Sequence, residues 1–402
     1  MSTRTKSAAC SVVFATLVAG CLLPVGCGGG NPPPPTTFAI GGTVTKLAGT
    51  NGGLVLQDGT GVTLPVSANG SFAFASAVPS GTAYTVTISA QPSNPAQTCA
   101  VVNGSGTVES DVTNITVDCG HNEWTWMSGA PTINLQSAYG TMGVPAPGNT
   151  PGGRQYAATW TDKSGNLWLF GGYGHDSVGT LLPMNDLWKF SGGEWTWVSG
   201  SNLGGQNGVY GTQGMAETAN LPGARFEAAS WTDASGDFWL FGGNGFDAVG
   251  NESPMNDIWK YSGGTWTWIG GSRIGLQQGV YGTLGLAGPS STPGGRNAMA
   301  VWVDASGSVW IFGGIGYDES NPINGELSDL WKYSGGQWTW MGGPKIKQQY
   351  GVYGTQGVAA PGNIPGSRLG AESWMDASGN FWLLGGYGLT SSGGLCESSD
   401  QW

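Results

Sequence analysis

The chain has 402 residues, enough for a leader and two domains of ordinary size. Charged residues make up 10% of it, while Gly (74) and Trp (20) lie far above ordinary usage; this excludes a disordered chain and points to short strands joined by tight turns. Lys and Arg total 14 against 25 Asp and Glu, a formal net charge of −11, so the clustered basic surface needed to bind nucleic acid is not expected.

Residues 1–27 read as an export leader: Arg4 and Lys6 precede the apolar run Ala8 to Leu23, and small residues stand ahead of a cysteine. Val18-Ala19-Gly20-Cys21 resembles the lipobox at which bacterial lipoproteins are cleaved and acylated on cysteine; Cys27 is a second candidate. The resemblance implies an outer-membrane or cell-surface lipoprotein, Leu22 after Cys21 favouring the outer membrane. An ordinary cleaved signal peptide, giving an extracellular product, is the alternative. Membrane contact is expected only through the lipid, because the apolar run is short and broken by Gly20, Pro24 and Gly26. Residues 28–37, Gly- and Pro-rich, form a tether.

Residues 38–120 alternate with period two. Tyr84, Val86 and Ile88 face one way and Thr85, Thr87 and Ser89 the other, and Ile115, Val117 and Cys119 repeat the pattern. Asn69-Gly70, between Val66-Ser67 and Phe72-Ala73-Phe74, signals a two-residue hairpin. About six short strands predict a small antiparallel β-sandwich. Cys99 and Cys119 are its only cysteines, and a disulfide between them is the expectation in an oxidising compartment; a metal or redox role is the weaker option, with His121 alone nearby. The segment resembles the Ig-like or prealbumin-like modules of bacterial surface proteins.

Residues 121–402 form the second domain, and from residue 123 onward they are a fourfold repeat. Trp-Thr-Trp recurs at Trp124–Trp126, Trp195–Trp197, Trp266–Trp268 and Trp338–Trp340, and a Gly-Gly pair follows at Gly171, Gly242, Gly313 and Gly385. All 20 tryptophans fall on five repeat positions, so none is left for a private role. Each unit reads as four strands. In the first complete unit these are a (Arg154 to Thr161), b (Leu167 to Phe170), c (Asp186 to Phe190) and d (Glu194 to Val198). An apolar strand ending in Gly-Gly, an aromatic-bearing strand, then a short turn into a Trp strand resembles the kelch motif. That resemblance implies an all-β fold, a β-propeller of four-stranded blades. The region opens with a d-type segment (Glu123 to Met127) and stops in a c strand at Trp402. Closure of four blades through a mixed blade is the expectation, truncation of a larger propeller the alternative.

Alternating strands put the short a–b and c–d turns on one face and the long b–c and d–a connections on the other, where ligand contacts usually sit. The d–a connections carry Tyr139, Tyr210, Tyr281 and Tyr353, and each leads into Arg154, Arg225, Arg296 or Arg368. The tyrosines either hold their loops down or form a ring of ligand-stacking aromatics. The arginines either bridge within each blade to Asp186, Asp257, Asp329 and Asp400 or form an anion-binding ring.

Catalytic chemistry is sparse. His175 is the only histidine inside the repeats, so a multi-histidine metal centre cannot be built. The central domain of galactose oxidase is also a kelch propeller, but its copper site needs two histidines and a cysteine-linked tyrosine; here no blade strand holds a cysteine, and Cys396 falls in a terminal loop. No Gly-x-Ser-x-Gly elbow supports a triad through His175. The turns at Asp162, Asp233, Asp304 and Asp376 resemble calcium loops but are too short, and hairpin turns explain them. Glu217, Glu227, Glu252, Glu319 and Glu326 break the repeat and offer carboxylates for glycoside hydrolysis. The reading is a non-catalytic surface binding protein without metal or cofactor, its partner a protein or a glycan; a carbohydrate-active enzyme is the alternative.

Overall fold

The computed structural model describes residues 35–48, 53–120, 126–320 and 322–402. Cys21, Cys27 and residues 121–125, most of the expected first d strand, lie outside this set; Trp126 and Met127 belong to no strand. All regular structure among the described residues is β. The chain divides into two compact units, Met1–Trp126 and Met127–Trp402.

The first unit holds two four-stranded sheets. One orders Gly70–Ala73, Ile40–Thr45, Val112–Asp118 and Ala100–Val102; the other orders Thr63–Val66, Leu54–Asp58, Ala83–Ala90 and Ser105–Thr107. Alternation turns Ile40, Val44, Leu54, Leu56, Val86, Ile115 and Val117 into one shared core. Each large aliphatic buried there contributes roughly 1.5–3 kcal/mol. Two expectations are corrected. Val112–Asp118 runs parallel to Ile40–Thr45, because the chain between them passes through the other sheet before returning. Asn69-Gly70 closes no hairpin; the strands on either side belong to different sheets. The Asn69 amide instead anchors the crossing, accepting from Leu47 N at 2.7 Å and donating to Leu47 O at 2.9 Å. Asp118 is paired with Ala100, so the next residues outward, Cys99 and Cys119, stand opposite one another and are joined by a disulfide.

The second unit is a β-propeller. Its first complete blade orders strands a (Ala158–Thr161), b (Leu167–Phe170), c (Leu187–Ser191) and d (Glu194–Ser199), and two further blades repeat this order. A fourth has a (Glu372–Met375) and b (Phe381–Leu384), with Trp402 exchanging backbone hydrogen bonds with Leu383 at 2.9 and 3.0 Å where strand c begins. The core lies between blades. Trp160 stacks on Phe238 of the next blade at 5.2 Å, and its indole N–H is shared by Trp231 O and Trp239 O at 3.1 and 3.2 Å. Trp302 repeats this on Phe381, Trp374 O and Trp382 O. From the opposite side Trp266 meets Phe170 at 5.2 Å and Trp338 meets Phe241 at 4.8 Å. The indoles are spacers between blades, which is why they recur in register.

Strand a is not continuous. The backbone turns left-handed at Tyr156 (φ 59°), Glu227 (54°), Ala298 (55°) and Gly370 (63°). The residues ahead of that kink, Arg154–Gln155 in the first blade, leave the blade and pair with Tyr173–His175, which pairs in turn with Leu181–Pro183. What the sequence read as a b–c loop is thus two strands of a three-stranded rim sheet, repeated in every unit. Cys396 likewise sits in the rim sheet of the fourth unit rather than in a loop. The d–a connection only partly joins this rim. Its middle wraps the outer edge of strand d, where Gly143 N and Asn149 Nδ2 donate to Trp197 O and Trp195 O at 2.8 and 3.0 Å, closing an otherwise open edge.

Candidate functional site

Each arginine that follows the d–a connection forms a two-pronged pair with the aspartate ahead of strand c in its own blade. Arg225 Nη1 and Nη2 meet Asp257 at 2.7 and 2.8 Å, and Arg296 meets Asp329 at the same distances. Arg154–Asp186 and Arg368–Asp400 repeat the arrangement. The first guanidinium arm also donates to the carbonyl of the Gly-Gly pair, as at Gly242 O (2.9 Å). Each aspartate further accepts the tyrosine hydroxyl of the d–a connection, Tyr139 on Asp186 at 2.7 Å and Tyr210 on Asp257 at 2.6 Å, and the indole N–H two residues ahead, Trp259 on Asp257 at 2.7 Å. Tyr281 on Asp329 and Tyr353 on Asp400 complete the series.

Tyr139, Tyr210, Tyr281, Arg225, Arg296 and Arg368 are buried, and the Arg154 side chain is nearly so. Burial, reinforced by the neighbouring carboxylate, pushes the tyrosine hydroxyls well above their ordinary range; the less covered Tyr353 is pushed up to about 12. Burial opposes ionisation of Asp329, but the Arg296 charge and hydrogen bonds outweigh it and hold the carboxyl down. Tyr139, Tyr210 and Tyr281 therefore offer no face to a ligand, Tyr353 alone stays partly open, and each guanidinium is saturated by its own blade. The set staples strand c, the Gly-Gly corner and the d–a connection together.

The variable positions lie directly behind the arginines. There the repeats read Gln155-Tyr156, Phe226-Glu227, Asn297-Ala298 and Leu369-Gly370, different in every blade although the preceding arginine is constant. The second residue of each pair is the left-handed one. A side chain in that conformation costs roughly 1–2 kcal/mol. It is held by a relay of backbone hydrogen bonds from blade to blade: Glu227 N to Tyr156 O at 3.0 Å, Ala298 N to Glu227 O at 3.1 Å, Gly370 N to Ala298 O at 2.9 Å. Tyr156 is 55% exposed. Phe226 sits 6.5 Å from the Tyr156 ring and 5.4 Å from Tyr173, and Asn297 Nδ2 donates to Glu227 Oε2 at 2.6 Å. The rim thus sets an open aromatic face beside a carboxylate of fixed orientation. Glu227 is visible in the sequence as an acid that breaks the repeat, whereas Tyr156 is not singled out there; the signal available for both is a variable pair behind an invariant arginine.

The other repeat-breaking acids are engaged separately. Glu217 accepts from Thr212 N, Glu252 from Asn244, Glu326 from Gln348, and Glu319 faces Lys345 at 3.9 Å. His175 Nδ1 lies 3.1 Å from Gly179 O, to which it donates across a local turn. Asp162 accepts from Ser164 N, Asn166 N and the Trp168 indole, so its carboxylate is used within its own turn. Among the described residues no three His, Cys, Asp or Glu side chains converge as a metal site.

No family model matches the chain. No curated protein matches it either. Among solved structures, YjhT is similar over 63% of this chain and 82% of its own, at 14% identity and a TM-score of 0.33. A fungal alcohol oxidase of the AA5 family, solved in complex with copper, is similar over 63% of this chain at 13% identity and a TM-score of 0.29; the match spans 54% of that oxidase. The propeller itself is established by the blade order and the junctions between blades.

Proposed function

We propose that the second unit is a non-catalytic binding module of an exported surface protein, anchored by lipid at Cys21 or Cys27, and that it holds a protein or glycan ligand on its rim. The observation that supports this is the contrast between constant scaffold and variable rim. Arg, Asp, Tyr and Trp recur in each blade, while the residues behind the arginine differ and three of the four occupy a costly backbone conformation with a side chain. A carbohydrate-active enzyme would need a second carboxylate facing Glu227 about 5–10 Å away. The local partners of Glu217, Glu252, Glu319 and Glu326 favour binding over catalysis.

The test pairs a glycan array and surface-protein capture with the full chain and its Tyr156→Ala/Glu227→Gln variant. Binding by the wild type should fall by about tenfold or more in the variant, since an aromatic face and a charge-assisted hydrogen bond are both removed. The melting temperature should not fall. Equal binding by both proteins removes the rim as the site, and turnover of a bound glycan by the wild type revives the enzyme.

A further inference from the structure

A second site stands where one repeat departs from the other three. In the first and second units an asparagine of the d–a connection bonds across to strand d. Asn149 Nδ2 donates to Val144 O and Trp195 O at 3.0 Å each, and Asn220 Nδ2 donates to Met215 O and Trp266 O at 2.9 and 3.2 Å. Asn363 donates to Val358 O at 3.0 Å. The third unit has Ser291 at this position. The shorter side chain cannot reach across, and among the described residues neither the Ser291 hydroxyl nor Trp338 O, counterpart of Trp195 O and Trp266 O, has a side-chain partner. A cavity of about 370 Å³ lies there, between the second and third blades, larger than the cavity of about 230 Å³ beside Asn149 in the first unit.

Its lining contains no charged side chain. It offers the Ser291 hydroxyl, the exposed Gln278 amide, and Gln213, whose Nε2 is spent on Ile269 O at 3.0 Å and whose Oε1 is left to accept. Tyr333 and Trp338 border it but are largely buried, so they close its base without presenting a ring face. An ionic ligand would lose hydration here and find no counter-charge. A wholly apolar one would leave amides and a carbonyl unpaired. We propose that this groove binds a neutral sugar residue of a glycan, whose hydroxyls pair with Ser291, Trp338 O and the glutamines. The site is separate from the rim and does not depend on it.

The experiment titrates the full chain with lactose, maltose, cellobiose and, as the charged comparison, sialyllactose. At least one neutral disaccharide should bind the wild type. Ser291→Asn restores the side-chain bond to strand d that the first two units make and takes up Trp338 O, so it should weaken that binding by about tenfold or more without lowering the melting temperature. Tyr156→Ala/Glu227→Gln should leave it unchanged, which separates this groove from the rim. No binding of any neutral disaccharide, binding of sialyllactose alone, or equal affinity in Ser291→Asn would each overturn the proposal.

Discussion

A buried aspartate is tolerable in these blades because its lone pairs are taken one by one. Asp257 receives both arms of Arg225, the Tyr210 hydroxyl and the Trp259 indole. Removing one neutral donor from a buried carboxylate leaves part of it unsatisfied without dismantling the ion pair. Tyr210→Phe should therefore destabilise the propeller by about 1–2 kcal/mol, read from urea unfolding followed by tryptophan fluorescence. An unchanged midpoint would mean that Arg225 and Trp259 alone satisfy Asp257. The sequence identified every member of this cluster, because duplication copied all of them. It left open whether the tyrosines and arginines faced a ligand or the interior, since recurrence carries no information about which side of a backbone a ring occupies. Glu227 was legible as an acid that breaks the repeat, but the left-handed φ it shares with Tyr156 was not, since nothing about an isolated Tyr or Glu announces it.

At the level of elements, the a–b turns tie charge to structure most directly. Asp162, Asp304 and Asp376 each accept backbone N–H groups and an indole N–H, from Trp168, Trp310 and Trp382. At Asp162 and Asp304 burial works against ionisation, yet side-chain donors (Ser306 and Trp310 on Asp304, Trp168 and Asn166 on Asp162, Trp382 and Asn380 on Asp376) together with the backbone N–H groups bring all three carboxyls down to about 2 from an ordinary 3.8. A carboxyl whose folded pKa is depressed contributes stability above its unfolded pKa and loses it as pH falls through the folded one. The blades should thus lose stability progressively between about pH 4 and pH 2. Asp304→Asn should make that loss shallower in an acid titration followed by tryptophan fluorescence; an identical slope would show that other groups govern it. Strands b and d were legible because four to six residues suffice to display an apolar pattern. The rim sheets were not, since strands of two or three residues such as Arg154–Gln155 and Tyr173–His175 show no period and owe their pairing to the chain returning beside itself. Asn69-Gly70 misled in the opposite sense: local turn chemistry promised a hairpin, and the apolar faces on either side were already committed to different sheets.

Across the whole molecule, stability comes in two currencies of unlike kind. The blades hold one another through interdigitated aromatics, so each depends on its neighbour as in other repeat folds. The first unit has its own aliphatic core and a disulfide between Cys99 and Cys119 that closes a loop of 20 residues. Such a loop constrains the unfolded chain by about 3 kcal/mol. Reduction should therefore lower the unfolding temperature of the first unit selectively. Eighteen of the 20 tryptophans lie from Trp160 onward, so near-ultraviolet dichroism reports the blades, whereas calorimetry reports both units. A reductant should shift one calorimetric transition downward and leave the dichroic transition where it was. Were both to move together, the two cores would be unfolding as one cooperative body, and the separate treatment of module and propeller would fail.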